Sequence, residues 1–125
     1  MPFWRDLKST VFSTWGYNKF IAGKYKKAVS YFEKAVELGT DTDIKRLSNA
    51  YLGRSYVILG RFEEALSVMP KADELYNLES NERDDYNQKE YKAFLDAYSL
   101  ALRKLGFIER AESISNKSEQ ITTKS

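Results

Sequence analysis

Apolar residues recur at steps of three and four along nearly the whole chain, which is the helical period. Phe3, Trp4, Leu7, Val11, Phe12 and Trp15 predict a first helix from about Pro2 or Phe3 to Ala22. Proline suits its first position, where an N–H would have no partner anyway. Tyr25, Ala28, Val29, Phe32, Ala35, Val36 and Leu38 mark a second helix, with Gly39 as its C-cap and Thr40–Asp41–Thr42–Asp43 as a turn that caps the next. Leu47, Ala50, Tyr51, Tyr56, Val57 and Leu59 carry a third helix to Gly60. A fourth begins at Arg61–Phe62 and meets Pro70, where a lost backbone bond and a ring clash predict a kink or break near Met69. Tyr91, Phe94, Leu95, Tyr98, Leu102 and Leu105 give a fifth helix ending at Gly106. Ile108, Ala111, Ile114 and Ile121 form a thin stripe for a last helix, which frays over residues 121–125. The polar, acidic stretch Leu78–Lys89 is either a loop or an extension of the fifth helix. The expected fold is all-α, with about six helices.

Laid over one another, the helices repeat as pairs. Gly23, Gly60 and Gly106 are each followed five residues later by an alanine, Ala28, Ala65 and Ala111. Seven residues before each glycine stands a small residue, Gly16, Gly53 or Ser99. Four and seven residues after the alanines come Phe32 and Ala35, Met69 and Ala72, then Ser115 and Ser118. Small residues at these steps let two helices cross closely. Trp15, Tyr25 and Phe32 are expected to fill the space beside the first crossing. All of these read as packing residues of three hairpins, at about 3–39, 44–77 and 90–120, in one domain.

This pattern resembles the tetratricopeptide repeat, whose unit carries Trp-x₂-Leu-Gly-x₂-Tyr, then Ala-x₃-Phe, then Pro. Leu52, Gly53 and Tyr56 match it best, with Asn49 in place of the tryptophan. The first hairpin has Phe12, Trp15 and Gly16, with Lys19 in place of tyrosine. The third is degenerate, with serines where Phe and Ala belong, and no unit closes with the usual proline. The resemblance covers roughly residues 9 to 118.

The resemblance implies a superhelix whose concave groove, lined by the first helix of each pair, receives a peptide or a partner's helix. Tyr17, Phe20, Tyr51, Arg54, Asp96, Leu100 and Arg103 fall on the inward side and are the candidate groove residues; Tyr and Arg are common at binding hot spots. Family members that clamp a chaperone's C-terminal carboxylate use Lys, Asn and Arg where this chain has Ser13, Tyr17, Tyr51, Ala93 and Ala97. None fits.

Composition narrows the function classes. The chain has no cysteine and no histidine, so thiolate nucleophiles, imidazole bases and Cys/His zinc sites are excluded. Glu82, Asp84 and Asp85 lack the alternating ligands and glycine of a calcium loop, and the glycines stand singly, with no phosphate-binding loop. No cofactor, metal or catalytic residue is expected, and the chain is not expected to be an enzyme. The net charge is +2, unevenly placed: ten basic against five acidic residues over 1–60, two against seven over 73–90. That balance is far from the strongly basic one of a nucleic-acid binder, and no run approaches a membrane span. The expectation is a soluble, cytoplasmic adaptor or scaffold that binds a protein or peptide. The alternative is a dedicated inhibitor, immunity factor or secretion chaperone acting through the acidic 73–90 segment. Self-association is a further option, since Phe3 and Trp4 have no obvious cover.

Overall fold

The structure, a computed structural model, describes residues 2–39, 41–78 and 84–121. It contains α1 (Pro2–Ile21), α2 (Tyr25–Leu38), α3 (Thr42–Ile58), α4 (Phe62–Asn77), α5 (Asp85–Lys104) and α6 (Ile108–Glu119), with no strand among the described residues. The helices pair as α1/α2, α3/α4 and α5/α6; α2 packs on α3, α4 on α5, and α3 touches both α1 and α5.

All three hairpins close through one turn. Gly23, Gly60 and Gly106 adopt φ of 78°, 76° and 88°, a left-handed conformation that only glycine enters at little cost. Each glycine N–H donates three residues back, to the carbonyls of Phe20, Val57 and Arg103, at 3.0–3.1 Å. The next N–H donates five residues back, to Lys19, Tyr56 and Leu102, at 2.8–2.9 Å. This pair of bonds satisfies the last carbonyls of the first helix. The carbonyls of Lys24, Arg61 and Phe107 then accept from Ala28, Ala65 and Ala111, starting the second helix.

The small residues sit at the crossings. A Cβ on Gly16 would lie 2.9 Å from the Phe32 ring, and one on Gly53 would overlap Met69 Cγ. Ser99 adapts the same site differently, its Oγ donating to the Ala111 carbonyl at 2.9 Å. Phe32, Met69 and Phe94 are completely buried, each contributing roughly 1.5–3 kcal/mol by leaving water. Trp15 departs from the expectation. It lies 49% exposed on the outer side of α1, edge-on to Phe12 and Tyr31, so Phe32 fills the crossing without it.

Two boundaries also differ. α4 runs through Pro70 without a break. The proline lies on the exposed side, while its neighbours Met69 and Ala72 are fully buried. The two halves are therefore fixed on the core, and the Leu66 carbonyl that loses its donor is left on the side nearer water. Pro70→Ala should restore that bond and raise the unfolding free energy by about 1–3 kcal/mol, read as a higher denaturant midpoint. The second boundary is the start of α5 at Asp85, five residues before the expected start of the third hairpin. Asp84 caps it, its carboxylate accepting from the Asn87 N–H at 2.8 Å. The end of the 78–89 segment is thus helical extension; residues 79–83, like Thr40 and the tail at 122–125, lie outside the described residues.

Candidate protein-binding groove

The first helices of the first two hairpins, α1 and α3, bring together four of the seven expected groove residues. Phe20 meets Tyr51 edge-on with ring centroids 5.0 Å apart, and Tyr17 lies 5.3 Å from the same ring. The Arg54 guanidinium stands over both Phe20 and Tyr51, at 5.0 and 4.8 Å. Cations held over ring faces gain from the ring quadrupole, more so when water is kept away. Arg54 also pairs with Glu90 of α5 at 2.7 Å, and the Tyr51 hydroxyl donates to the same carboxylate oxygen at 2.6 Å. Burial first, and this hydrogen bond second, push the Tyr51 hydroxyl far above the usual tyrosine range.

Glu90 thus ties the second hairpin to the third, and the sequence reading did not single it out. One turn earlier on α5, Tyr86 reaches across to Tyr17, hydroxyl to hydroxyl at 3.3 Å; this bond raises the Tyr17 hydroxyl's pKa. Tyr86, Glu90, Ala93 and Ala97 recur at steps of four, three and four, the signal that would have placed both residues on one helical face. The polar groups of Tyr51 and Arg54 both turn to α5. Tyr51 is 7% exposed, and both side chains spend hydrogen bonds on Glu90.

Asp96, Leu100 and Arg103 do not join this cluster. Asp96 accepts from Ser118 Oγ on α6 at 2.5 Å. Leu100 and Arg103 are exposed further along α5. Next to Tyr17, α1 and α3 form an open hollow of about 410 Å³ whose lining includes Thr14, Tyr17, Asn18, Ile21, Ile44 and Leu47. Ile21 is 67% exposed at its edge. Ser13, at its floor, is buried and accepts from Ser48 at 3.3 Å. The hollow is apolar with a few convergent hydroxyl and amide groups, the composition typical of recognition sites of this size.

The helix pairing, the turn glycines and the crossing contacts agree with the family model described as tetratricopeptide repeat, which matches residues 16–38. Residues 16–38 carry a tetratricopeptide repeat. The match spans the end of α1, the Gly23 turn and α2, including Gly16, Ala28 and Phe32, the residues that make the first crossing. Tetratricopeptide repeats are in general protein-interaction folds. No curated protein and no solved structure matches the chain. Among the described residues no acidic cluster is built to hold a metal ion, and no helix is long and apolar enough to cross a membrane.

Proposed function

We propose that the chain is a non-enzymatic binding module of three tetratricopeptide hairpins, the third degenerate, holding a peptide or protein segment in the groove formed by α1, α3 and α5. The observation that carries this reading is the apolar hollow beside Tyr17, open at Ile21 and continuous with the tyrosine pair that bridges α1 and α5. An apolar side chain of the bound segment occupies the hollow. Tyr17 and Tyr86 supply hydroxyls to its backbone, and Leu100 extends the apolar contact along α5. Arg54, Tyr51 and Glu90 hold the three helices at the spacing the segment requires; the exposed Arg103 and the outer edge of Asp96 set charge at the far end.

The acidic 73–90 segment is a weaker contact surface. Asp73 accepts from Tyr91 and pairs with Lys117, Glu90 is held by Arg54 and Tyr51, and Asp84 caps α5. These carboxylates are already committed within the fold, which supports the groove over the loop.

The test is affinity capture from a native lysate, read by mass spectrometry, with wild type beside Tyr17→Ala/Ile21→Glu. Both positions lie at the edge of the core, so helicity by circular dichroism should be unchanged. Proteins captured by wild type and lost from the double variant support the groove. An identical set of captured proteins would sink it.

A further inference from the structure

The two ends of the helical stack differ in chemistry. At one end α6 turns Glu109, Arg110, Glu112, Ser113, Asn116 and Glu119 outward, a mainly polar surface with Phe107 and Ile108 exposed only at its first turn. At the other end α1 exposes Trp4 (57%), Leu7 (46%), Val11 (37%) and Trp15 (49%). The hairpins' own register shows what this face is. Counting from the crossing residues Gly16, Gly53 and Ser99, Val11 corresponds to Ser48 and Phe94, and Trp15 to Leu52 and Tyr98. Those four counterparts are at most 4% exposed. They lie on helices covered by the preceding hairpin, as where Tyr76 of α4 lies tilted against Phe94 at 5.3 Å. Val11 and Trp15 therefore stand at interface positions of the stack, and with Leu7 they are 37–49% exposed there.

We propose that this face is covered by the same face of a second copy, in a two-fold, head-to-head dimer with α1 antiparallel to its mate. The end chemistries select that pairing. Head-to-tail stacking would press the apolar stripe on the polar α6 surface and would propagate into an open filament, whereas a two-fold contact closes on itself. The stripe is also close to palindromic. Trp4 and Trp15 flank Leu7 and Val11, so an antiparallel mate sets Leu7 opposite Val11 and tryptophan opposite tryptophan. The stripe itself lines an apolar hollow of about 630 Å³ between α1 and α2, together with Phe12 and Leu38, and the mate's stripe is seated against it. Lys8, Lys34 and Glu37 border it and allow opposite charges to meet across the rim. The two tryptophans alone offer roughly 250 Å² of apolar surface. With the aliphatic residues and the rim, each copy contributes on the order of 600 Å², which symmetry doubles to the ~1,200 Å² where specific interfaces begin. A contact of that size points to micromolar self-association. It does not depend on what the groove binds.

Sedimentation equilibrium of the purified full chain tests this, over about 1–100 µM. Wild type should move from the 14.5 kDa monomer toward twice that mass. Leu7→Lys and Val11→Glu, each separately, should stay monomeric, weakening association at least about 30-fold, with unchanged circular dichroism because both positions are exposed. An equimolar mixture of the two variants should regain the dimer, because the new lysine of one chain faces the new glutamate of the other. Wild type that stays monomeric throughout, or variants that still dimerise, would overturn the proposal. Variants that dissociate but fail to pair when mixed would overturn its two-fold register.

Discussion

Replacing Phe32 with alanine should lower the unfolding free energy by about 3–5 kcal/mol, the cost of emptying a fully buried aromatic site. The loss is expected at the high end because Phe32 serves two contacts at once. Its ring fills the space that Gly16 leaves open at the α1/α2 crossing, and it stacks on Tyr51 at 5.8 Å and 13°, joining the first hairpin to the second. Removing it leaves a cavity bounded by rigid helix backbone on the glycine side, which cannot collapse to fill it. A domain of this length would lose about 10–20 °C in melting temperature. Thermal melts of wild type and Phe32→Ala, followed by circular dichroism, read the difference directly. A shift below a few degrees would mean that the crossing is not the tight contact described above.

The second large effect is alkaline. Tyr51, Tyr56 and Tyr98 are at most 7% exposed, and each has its pKa raised, chiefly by burial. Glu90 adds to the shift at Tyr51 and Glu33 at Tyr56, while Arg110 opposes it at Tyr98. An ionised tyrosine is the charged form, so a raised folded pKa means that the native state keeps the proton longer than the unfolded chain does. Below about pH 10 both states are protonated and the contribution is fully present. Above it the unfolded chain releases protons first, and stability falls by about 1.4 kcal/mol per pH unit for each such tyrosine. The urea midpoint should therefore be level up to pH 10 and fall steeply beyond it. Lysines titrate in the same range, so Tyr51→Phe isolates one contribution: its midpoint should fall more gently than that of wild type. Parallel curves would show that Tyr51 ionises equally easily in both states.

Much of the scaffold was legible because it depends on local steps. Gly23, Gly60 and Gly106 announced the three turns, and the alanines five residues on announced the second helices; the structure places every one of them as read. Pro70 brings no break although its local penalty is real, because Met69 and Ala72 on either side are held in the core. The groove was half legible. Tyr17, Phe20, Tyr51 and Arg54 fall together as their helical faces require. Glu90 was hidden because an acid in a polar stretch reads as solvated, and its partner Arg54 lies 36 residues away in the chain. Asp96 shared the expected groove face by period, but that period cannot say that Ser118 of α6 comes within reach. The α1 stripe shows the same limit from the other side. Spacing identified Trp4, Leu7, Val11 and Trp15 as an apolar face without saying whether this chain covers it.

Both tryptophans of the chain stand on α1. Intrinsic emission is therefore a local gauge, sensing one end of the stack, while the far-ultraviolet helical signal sums over the helices of the whole chain. In a quasi-one-dimensional array, where contacts run mostly between neighbouring hairpins, the ends can open before the middle; here the Tyr17–Tyr86 bond reaches past a neighbour. The molecule thus carries its own end-reporter: any gap between the two signals during unfolding measures how far cooperativity extends from α1 toward α6.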